Sequence, residues 1–371
     1  MDKQIGLLSA CAHRLYLYRP ELFDSLREEG YRATVFGPEP QRQGDEWLGK
    51  HGIRYVELPL ERRRTDPFAE NKAKSLICHT IEEQGIGLLY SYGIRFAPLT
   101  NNAAKSAGIP CMNVINGAGS LFISEGISGE MKRKLILPYI RASLGYSSRI
   151  VFQNRDDRDM FLALKLCRES QQILVHGSGV NLSRFPVFPL PKERVFGFVS
   201  RMNPEKGVDE LLRAFERVLK EYPDAKLRLA GESDGIAGTA AEELMHRLCE
   251  RGSVEYLGEI SDVPSFMKTI RYFVFPSYRE GTPRASLEAM SCGRPVITTD
   301  TPGCRETVED GYNGLLVKSR DADGLCEAML LFCGDREMTA RMGENARKLA
   351  EDRFDVYAVN RILIDEVKKL Y

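Results

Sequence analysis

Two glutamates eight positions apart, Glu280 and Glu288, lie in a segment that suits the binding of hydroxyl groups. An apolar run is followed by a polar loop that carries Glu280 and Gly281. Thr282 and Pro283 suit the start of a helix, which places Glu288 near its second turn. Carboxylates accept charge-assisted hydrogen bonds that contribute about 1.5–3 kcal/mol each. The segment therefore predicts a pocket for a sugar or a ribose.

Two cations, Arg201 and Lys206, flank a short loop that leads through Gly207 into a predicted helix. The free N–H groups of a helix start attract anions, and a guanidinium beside an ammonium suits a diphosphate. Taken singly, these cations could be solvated surface charges, Glu280 a loop acid without a ligand, and Glu288 an acid favoured by the helix dipole. Together they predict a site for a nucleotide diphosphate sugar.

The elements that must hold these residues alternate between short apolar runs and amphipathic stretches. This alternation predicts α/β structure, in which helices cover both faces of parallel sheets. The predicted strands of the first half are Ile5–Ser9, Ala33–Gly37, Arg54–Leu58, Gly87–Ser91, Cys111–Ile115, Arg149–Gln153 and Gln172–His176. The predicted strands of the second half are Val195–Ser200, Leu227–Ala230, Val254–Leu257, Tyr272–Pro276, Pro295–Thr299 and Leu315–Val317.

A chain of 371 residues exceeds one ordinary core, and three prolines in residues 185–191 suggest a linker. We therefore expect two Rossmann-like, doubly wound domains, which comprise residues 1–188 and residues 189–352. Residues 353–371 would form a helix packed back on the first domain. Open α/β sheets bind ligands at the carboxyl ends of their strands, so the two domains are expected to face each other across a cleft.

At this point the sequence resembles a known family. Residues 280–289 resemble the E-x7-E element of the retaining glycosyltransferases of family 4, which have the GT-B fold. Residues 197–207 resemble the family's phosphate-binding loop. Residues 229–232 and 256–262 resemble its base-binding loops, and residues 177–185, 295–306 and 311–317 also match. The resemblance thus covers the whole second half of the chain.

The resemblance implies a role for each of these residues. Arg201 and Lys206 would hold the donor diphosphate, Glu288 the ribose hydroxyls and Glu280 the hydroxyls of the donor sugar. The other donor-binding residues it implies are Gly281, Thr282, Pro283, Gly231 and Ile260.

The resemblance also implies catalysis without a metal or any other cofactor. Two D-x-D strings, Asp157–Asp159 and Asp321–Asp323, are interpreted as solvated acids or helix caps.

The first half carries the candidate acceptor residues, which are Asn116, Gly117, Gly119, Ser120 and Arg64. They resemble positions in bacterial family members that extend sugars on polyprenyl diphosphate in capsule and N-glycan assembly. Two departures occur here. Residues 9–12 replace the family's N-terminal glycine pair, and Asn116 stands where some relatives have an acid. The Arg62–Arg64 triplet is compatible with a solvated loop or with a clamp on an acceptor diphosphate.

Residues 130–142 form a basic, apolar stretch that Pro138 is expected to interrupt. It suits either an anionic membrane surface or a packed helix with its basic face in water, with equal weight. A formal net charge of zero gives no indication of nucleic-acid binding. Nine cysteines without a C-x-x-C pair, and no apolar run of membrane-spanning length, favour a cytoplasmic protein, free or peripheral at the inner face of the cell membrane.

The predicted function is transfer of a hexose or N-acetylhexosamine, with retention, from a UDP-sugar to a polyprenyl-diphosphate-linked saccharide in bacterial surface glycan assembly. A UDP-sugar epimerase is one alternative, although the first half offers no persuasive acids for C2 inversion. A non-catalytic nucleotide-sugar-binding protein is another. The complete set of Arg201, Lys206, Glu280 and Glu288 favours the transferase.

Overall fold

The computed structural model describes residues 3–10, 12, 15, 18–38, 45–61, 66–118 and 126–371. The chain divides into two compact units. Unit 1 comprises residues 1–178 with the C-terminal segment Tyr357–Tyr371, and unit 2 comprises Gly179–Val356.

Unit 1 contains a seven-stranded sheet in the order β3-β2-β1-β4-β5-β6-β7, and every neighbouring pair is parallel. Its strands are β1 Lys3–Ser9, β2 Tyr31–Gly37, β3 Arg54–Glu57, β4 Ile86–Tyr92, β5 Cys111–Ile115, β6 Arg149–Phe152 and β7 Gln172–Leu174. Its helices are α1 Pro20–Glu28, α2 Asp45–Lys50, α3 Pro67–Gln84, α4 Ala97–Ala107, α5 Gly126–Leu144 and α6 Arg155–Ala163. Apolar side chains of both sheet faces are buried against these helices.

Unit 2 contains a six-stranded parallel sheet in the order β10-β9-β8-β11-β12-β13. Its strands are β8 Val195–Val199, β9 Lys226–Ala230, β10 Val254–Tyr256, β11 Tyr272–Phe275, β12 Val296–Thr299 and β13 Gly314–Val317. Its helices are α7 Val208–Glu221, α8 Ala240–Glu250, α9 Val263–Thr269, α10 Arg284–Ser291, α11 Ala322–Gly334 and α12 Arg336–Arg353. The α/β class with two doubly wound parallel sheets is confirmed.

Each sheet reverses its strand order at one place. The reversal lies between β1 and β4 in unit 1 and between β8 and β11 in unit 2. At such a reversal the loops leave neighbouring strands in opposite directions, which opens a crevice for a ligand at their carboxyl ends. In unit 2 the loops after β8 and β11 are the ones that carry Arg201, Lys206 and Glu280.

The proline-rich segment packs on unit 2. Phe185 is buried in the core of that unit, and the fully buried Arg294 donates hydrogen bonds to the carbonyls of Phe188 and Pro189 at 2.8 and 3.2 Å. Arg271 donates to the carbonyl of Pro191 at 2.7 Å. A proline has a backbone carbonyl but no N–H group, so a proline-rich segment cannot pair as a regular strand. The two arginines instead provide hydrogen-bond donors for its carbonyl groups. The division between the units accordingly falls at 178/179, before the predicted 188/189.

The last helix, α13 (Val356–Leu370), contributes Val359, Leu363 and Val367 to the core of unit 1. Its Asn360 accepts a hydrogen bond from the buried guanidinium of Arg19, with Nη2 and Oδ1 2.6 Å apart. Nη1 of Arg19 also donates to the hydroxyl of Tyr92 at 3.3 Å. A buried charge thus joins the first and last segments of the chain within unit 1.

Helix α5 runs from Gly126 to Leu144 and includes Pro138 in its interior. The prediction that Pro138 interrupts this stretch is therefore wrong. A proline removes one backbone hydrogen bond of a helix but does not end it where tertiary packing favours continuation. The buried Ile140 and Leu144, which pack in the core beside α4, supply that packing.

Candidate functional site

The candidate site lies in unit 2, at the carboxyl ends of β8 and β11. After β8, a single 3₁₀ turn at Pro204–Lys206 leads to Gly207, which has a φ of +71° and directly precedes α7. After β11, residues 276–283 form the loop that leads into α10. Both loops therefore end at the N-terminus of a helix, where backbone N–H groups and the helix dipole favour an anion.

Lys206 and Glu280, one from each loop, form an ion pair between Nζ and Oε1. Both side chains are mostly buried, with 16% and 17% of their surface exposed. Ser277 adds a hydrogen bond from its hydroxyl to the same Oε1 at 2.7 Å. The structure thus brings together two residues that the sequence places 74 positions apart. The carboxylate holds the ammonium beside the start of α7.

Arg201 lies at the end of β8, and its Nη1 contacts Oδ2 of Asp234 at 2.6 Å. This pair is more exposed, at 48% for Arg201 and 31% for Asp234. Asp234 belongs to the loop after β9, the neighbouring strand. The second predicted phosphate-binding cation is therefore also engaged by a carboxylate, and solvent can reach it.

Glu288 lies in α10 and is 8% exposed. Its Oε1 pairs with Nη2 of Arg284, one turn earlier in the same helix, at 3.1 Å. Burial raises the pKa of Glu288, whereas the charges of Arg284 and Arg184 oppose that rise. Within the described chain, Glu288 is thus paired with neither Arg201 nor Lys206. Its ionised form is favoured instead by the neighbouring Arg284 and Arg184.

The start of α10 differs from the prediction that Thr282 caps the helix. The helix begins at Arg284, and its N-cap Pro283 makes no side-chain capping bond. The hydroxyl of Thr282 donates to the carbonyl of Gly281 at 2.8 Å. The prediction is wrong because this hydroxyl bonds locally within the loop, which Ser and Thr side chains readily do. Gly281, Thr282 and Pro283 are all buried at the turn into the helix.

Backbone contacts hold the two loops together beneath the charged groups. The N–H of Tyr278 donates to the carbonyl of Glu205 at 2.9 Å, and the hydroxyl of Ser277 donates to the same carbonyl at 3.2 Å. The hydroxyl of Tyr278 reaches Glu210 in α7 at 2.7 Å. Burial and this bond to a carboxylate raise the pKa of Tyr278. Tyr278 therefore stays a neutral hydrogen-bond donor between the loop and the helix.

Gly303 shows how closely a third segment approaches. It has a φ of +79°, and a Cβ there would lie 2.3 Å from the carbonyl oxygen of Glu280. The N–H of Glu280 donates to the carbonyl of Pro302 at 3.0 Å. The loop that carries Glu280 thus packs against the turn at Pro302–Gly303, whose backbone conformation and close approach require glycine.

The predicted base-binding residues lie at the ends of β9 and β10. Gly231 donates to the carbonyl of Gly258 at 2.7 Å and accepts from the hydroxyl of Tyr256 at 2.8 Å. A Cβ on Gly231 would lie 1.7 Å from the carbonyl oxygen of Ser200, so its φ of +139° and its small size are both required. Ile260 is half-buried against the core of unit 2. Their role toward a base stays a prediction.

The candidate acceptor residues are only partly described. Asn116 is exposed directly after β5 in unit 1, and Gly117 follows with a φ of +123°. Oδ1 of Asn116 lies 3.3 Å from the position that a Cβ on Gly93 would take, at the end of β4. Gly119, Ser120 and Arg64 lie outside the described residues.

The two D-x-D strings lie at helix starts. Asp321 caps α11 by accepting from the N–H groups of Asp323 and Gly324 at 3.1 and 2.9 Å. The buried Asp157 accepts from Asn154 at 3.0 Å in the first turn of α6, and Asp159 pairs with Arg158 at 2.8 Å. Within the described ranges, no group of three His, Cys, Asp or Glu side chains could hold a metal. Asp323 forms an ion pair with Arg217 of α7. Each of the four D-x-D acids thus has a polar partner within the described chain.

Sequence reasoning missed Asp234, Arg284 and Ser277, although each contacts a predicted site residue. The signal for Arg284 was its spacing of four residues from Glu288 on a predicted helix, where side chains meet. Ser277 lies three residues before Glu280, a spacing that a turn brings together. Asp234 gave no local signal, because its contact depends on the pairing of β8 with β9.

Comparison with known proteins adds independent information. The family described as "Glycosyl transferases group 1" matches residues 182–349. The chain is 25% identical over 355 residues to N,N'-diacetylbacillosaminyl-diphospho-undecaprenol alpha-1,3-N-acetylgalactosaminyltransferase of Campylobacter jejuni, covering 92% of this chain and 93% of that protein. It is 23% identical over 335 residues to UDP-Gal:alpha-D-GlcNAc-diphosphoundecaprenol alpha-1,3-galactosyltransferase of Escherichia coli, covering 86% and 84%.

Solved structures share the fold over the whole chain. Anabaena Alr3699/HepE in complex with UDP and glucose has a TM-score of 0.79 at 19% identity, covering 99% of this chain and 100% of that one. Sucrose-phosphate synthase from Thermosynechococcus elongatus has a TM-score of 0.80 at 19% identity, covering 99% of both chains. At these identities the likeness concerns the fold, which is the GT-B fold of two doubly wound units.

Proposed function

We propose that this glycosyltransferase, whose residues 182–349 form a group 1 domain, transfers a sugar from a UDP-sugar to a polyprenyl-diphosphate-linked saccharide with retention of anomeric configuration. The observation that carries the proposal is the Lys206–Glu280 pair at the strand-order reversal of unit 2. It brings the cation that we propose to bind phosphate into contact with the carboxylate that we propose to bind the sugar. Arg201 and Glu288 lie on the same two segments that leave β8 and β11.

The leaving group of this reaction is a nucleoside diphosphate, on which negative charge develops as the bond to the sugar breaks. Lys206 would exchange Glu280 for the phosphate next to the sugar, and Arg201 would bind the diphosphate through its guanidinium. The N–H groups at the starts of α7 and α10 would add fixed dipoles. Such preorganised donors stabilise a developing charge without reorganising at the moment of reaction. We propose that this machinery works without a metal ion.

Glu280 and Glu288 would recognise the two ends of the donor. Glu288, buried and paired with Arg284, would accept hydrogen bonds from the ribose hydroxyls. Glu280 would accept from hydroxyls of the transferred hexose or N-acetylhexosamine once Lys206 turns to the phosphate. Uracil would lie between Gly231 and Ile260. The E. coli relative, which is named for UDP-Gal, supports UDP as the nucleotide.

The acceptor would meet unit 1 near Asn116 and Gly117, at the carboxyl end of β5. The names of both relatives include an undecaprenol-linked diphosphate sugar, which supports a lipid-linked acceptor here. Gly119, Ser120 and Arg64 remain candidates for the same site.

A lipid-linked acceptor requires contact with a bilayer, and α5 offers an apolar surface for it. Met131, Leu135, Ile136 and Tyr139 are large apolar side chains that stay exposed on this helix, and Lys134 is exposed among them. Met131, Leu135 and Tyr139 recur at intervals of four residues, and Ile136 lies three residues before Tyr139, so these side chains share one side of the helix. We propose that this surface rests on an anionic bilayer at the inner face of the cell membrane.

No helix in the described parts of the chain is long and apolar enough to cross a bilayer. The eight described cysteines are all free thiols, which is compatible with the reducing cytosol. We therefore place the enzyme in the cytoplasm, bound peripherally through α5. Replacement of Leu135 and Ile136 by serine should weaken cosedimentation with phosphatidylglycerol vesicles. Unchanged cosedimentation would contradict this surface.

The test of the proposed function is a panel of nucleotide sugars with a short-chain polyprenyl-diphosphate-linked saccharide, scored for nucleotide release and for the anomeric configuration of the product by NMR. We expect acceptor-dependent UDP release and a product with the anomeric configuration of the donor. Inversion at C2 without UDP release would identify an epimerase instead. UDP binding without either reaction would identify a binding protein.

A further inference from the structure

Arg201 has an internal partner that no ligand-binding role explains. Nη1 of its guanidinium lies 2.6 Å from Oδ2 of Asp234. Both an aspartate and a phosphate present oxygen acceptors to the planar fork of an arginine. The two anions therefore compete for the same donor groups.

The backbone fixes Asp234 in that position. Met202 donates to the carbonyl of Glu232 at 2.7 Å, and Asp234 donates to the carbonyl of Met202 at 2.9 Å. These bonds form an isolated parallel bridge between Met202 and Ser233. The loop after β9 thus continues the pairing of β8 with β9 past the ends of both strands, which places Asp234 beside Arg201.

The exposure of the pair allows a ligand to displace the aspartate. Arg201 keeps 48% of its side-chain surface accessible and Asp234 keeps 31%. Ion pairs of this exposure contribute only about 0–1 kcal/mol, so their opening costs little. The Lys206–Glu280 pair is less exposed, and its acid is one of the predicted sugar ligands.

We infer that Asp234 is an affinity-setting residue of the donor site, whose carboxylate occupies Arg201 in the free enzyme and must be displaced by the diphosphate of the nucleotide. It weakens the hold on the donor and, by the same amount, on the nucleoside diphosphate product. Product release is a common limit on turnover, so a lower affinity for the product favours it. The inference rests on the proposed function only in taking a nucleoside diphosphate as the ligand.

The test compares the D234N variant with wild type by isothermal titration calorimetry, using UDP, pyrophosphate and uridine. D234N keeps the size of the side chain and one oxygen acceptor, replaces the other oxygen by an NH2 donor, and removes the charge. We expect UDP and pyrophosphate to bind about three- to tenfold more tightly, because one competing charge-assisted contact is lost. Uridine has no phosphate, so its affinity should not change.

The matched control is E232Q. Glu232 is an exposed acid two residues away on the same loop, and it has no ion pair with Arg201 among the described residues. It therefore reports the general effect of removing one negative charge near the site. Equal tightening of UDP by E232Q and D234N would overturn the inference. Weaker or unchanged UDP binding by D234N would also overturn it.

A double-mutant cycle locates the effect on Arg201. In the R201A background, D234N should no longer increase the affinity for UDP, because the guanidinium for which Asp234 and the diphosphate compete is gone. The same tightening with and without Arg201 would contradict the inference. If wild type binds pyrophosphate but not UDP, the proposed donor is wrong, and the comparison of D234N with wild type on pyrophosphate still decides the inference. If neither variant nor wild type binds either ligand, both proposals are wrong.

Discussion

The two units have the same parallel architecture, but the cations beside their strand-order reversals have different partners. At the reversal in unit 2, Arg201 and Lys206 are paired with carboxylates at the ends of loops. In unit 1, Arg19 lies beside Tyr92, the last residue of β4, and is only 2% exposed. Its recorded partners are the neutral oxygens of Tyr92 and Asn360. The two cations that we propose to bind the diphosphate thus have acids as partners, which an anion could replace, whereas Arg19 is enclosed by neutral groups.

Lys206→Ala should show the largest effect on the functional side of this comparison. We expect turnover to fall by about 10²-fold or more, because a donor aimed at the leaving group is lost. The melting temperature should fall by only a few degrees, since 17% of the Glu280 side chain is open to water and Ser277 still donates to its carboxylate. Steady-state kinetics and calorimetry measure the two quantities. Lys220→Ala, on the exposed last turn of α7, is the matched control. A fully active K206A enzyme would refute the leaving-group role.

Arg19→Met should show the largest effect on the structural side. It keeps much of the side-chain volume but removes the donors to Tyr92 and Asn360, which leaves the buried side-chain oxygen of Asn360 unsatisfied. We expect a loss of stability of about 2–3 kcal/mol, measured by urea unfolding. UDP affinity should stay within about twofold, because the donor site belongs to unit 2. A variant that keeps its stability but loses UDP binding would reverse the assignment of Arg19.

Glu288→Gln should weaken UDP binding by about 1–3 kcal/mol if the carboxylate accepts from the ribose. Wild-type UDP affinity should also fall as the pH decreases through the raised pKa of Glu288, at a higher pH than for an exposed glutamate. Arg284→Met should move this loss to still higher pH, because one cation that favours the ionised form is gone. Titration calorimetry between neutral and acidic pH tests both statements. A flat pH profile shared by wild type and E288Q would contradict the ribose role.

The effect of Glu288 on stability has the opposite sign. Burial raises its pKa in the folded state above that of the unfolded chain, so the folded state binds the proton more tightly. Its contribution therefore favours folding at low pH and declines as the pH rises through the raised pKa. Relative to E288Q, wild type should lose stability toward neutral pH. This is the expected signature of a carboxylate kept buried for a ligand.

Added EDTA should have the smallest effect, namely none on the rate of UDP release. The described D-x-D acids are engaged in helix caps and local pairs rather than gathered around a common point. Activity that disappears with EDTA and returns with Mg²⁺ would contradict metal-independent transfer.

Much of this molecule is predictable from its sequence because its strands are short, buried and apolar. The predicted strand Cys111–Ile115 is confirmed without change, and the others are confirmed within a few residues at their ends. The glycosyltransferase class is confirmed by the comparisons. It was predictable because the residues of the E-x7-E segment lie close together in the sequence. Local sequence patterns are thus enough to predict those features of the fold and of the site that depend on residues close together in the sequence.

Contacts between distant segments were not predictable in the same way. The Lys206–Glu280 pair requires β8 and β11 to be neighbours, which depends on the strand-order reversal. The Arg201–Asp234 pair requires the pairing of β8 with β9. The helix continues through Pro138 because buried apolar side chains pack it against its neighbours. The proline-rich segment belongs to unit 2 because Arg294 and Arg271 donate hydrogen bonds to its carbonyl groups. Neither contact can be read from the local sequence.

Gly303 has a consequence for how this enzyme can change over generations. Any side chain there would collide with the carbonyl of Glu280, so substitutions are expected to be purged regardless of which sugar is used. The neighbouring Thr282 and Arg284 carry no such backbone constraint. In a library selected for a new donor, diversity should accumulate at these two positions, while Gly303 stays invariant. The glycine thus fixes the backbone beside Glu280 and Gly281, whereas the side chains at 282 and 284 can vary.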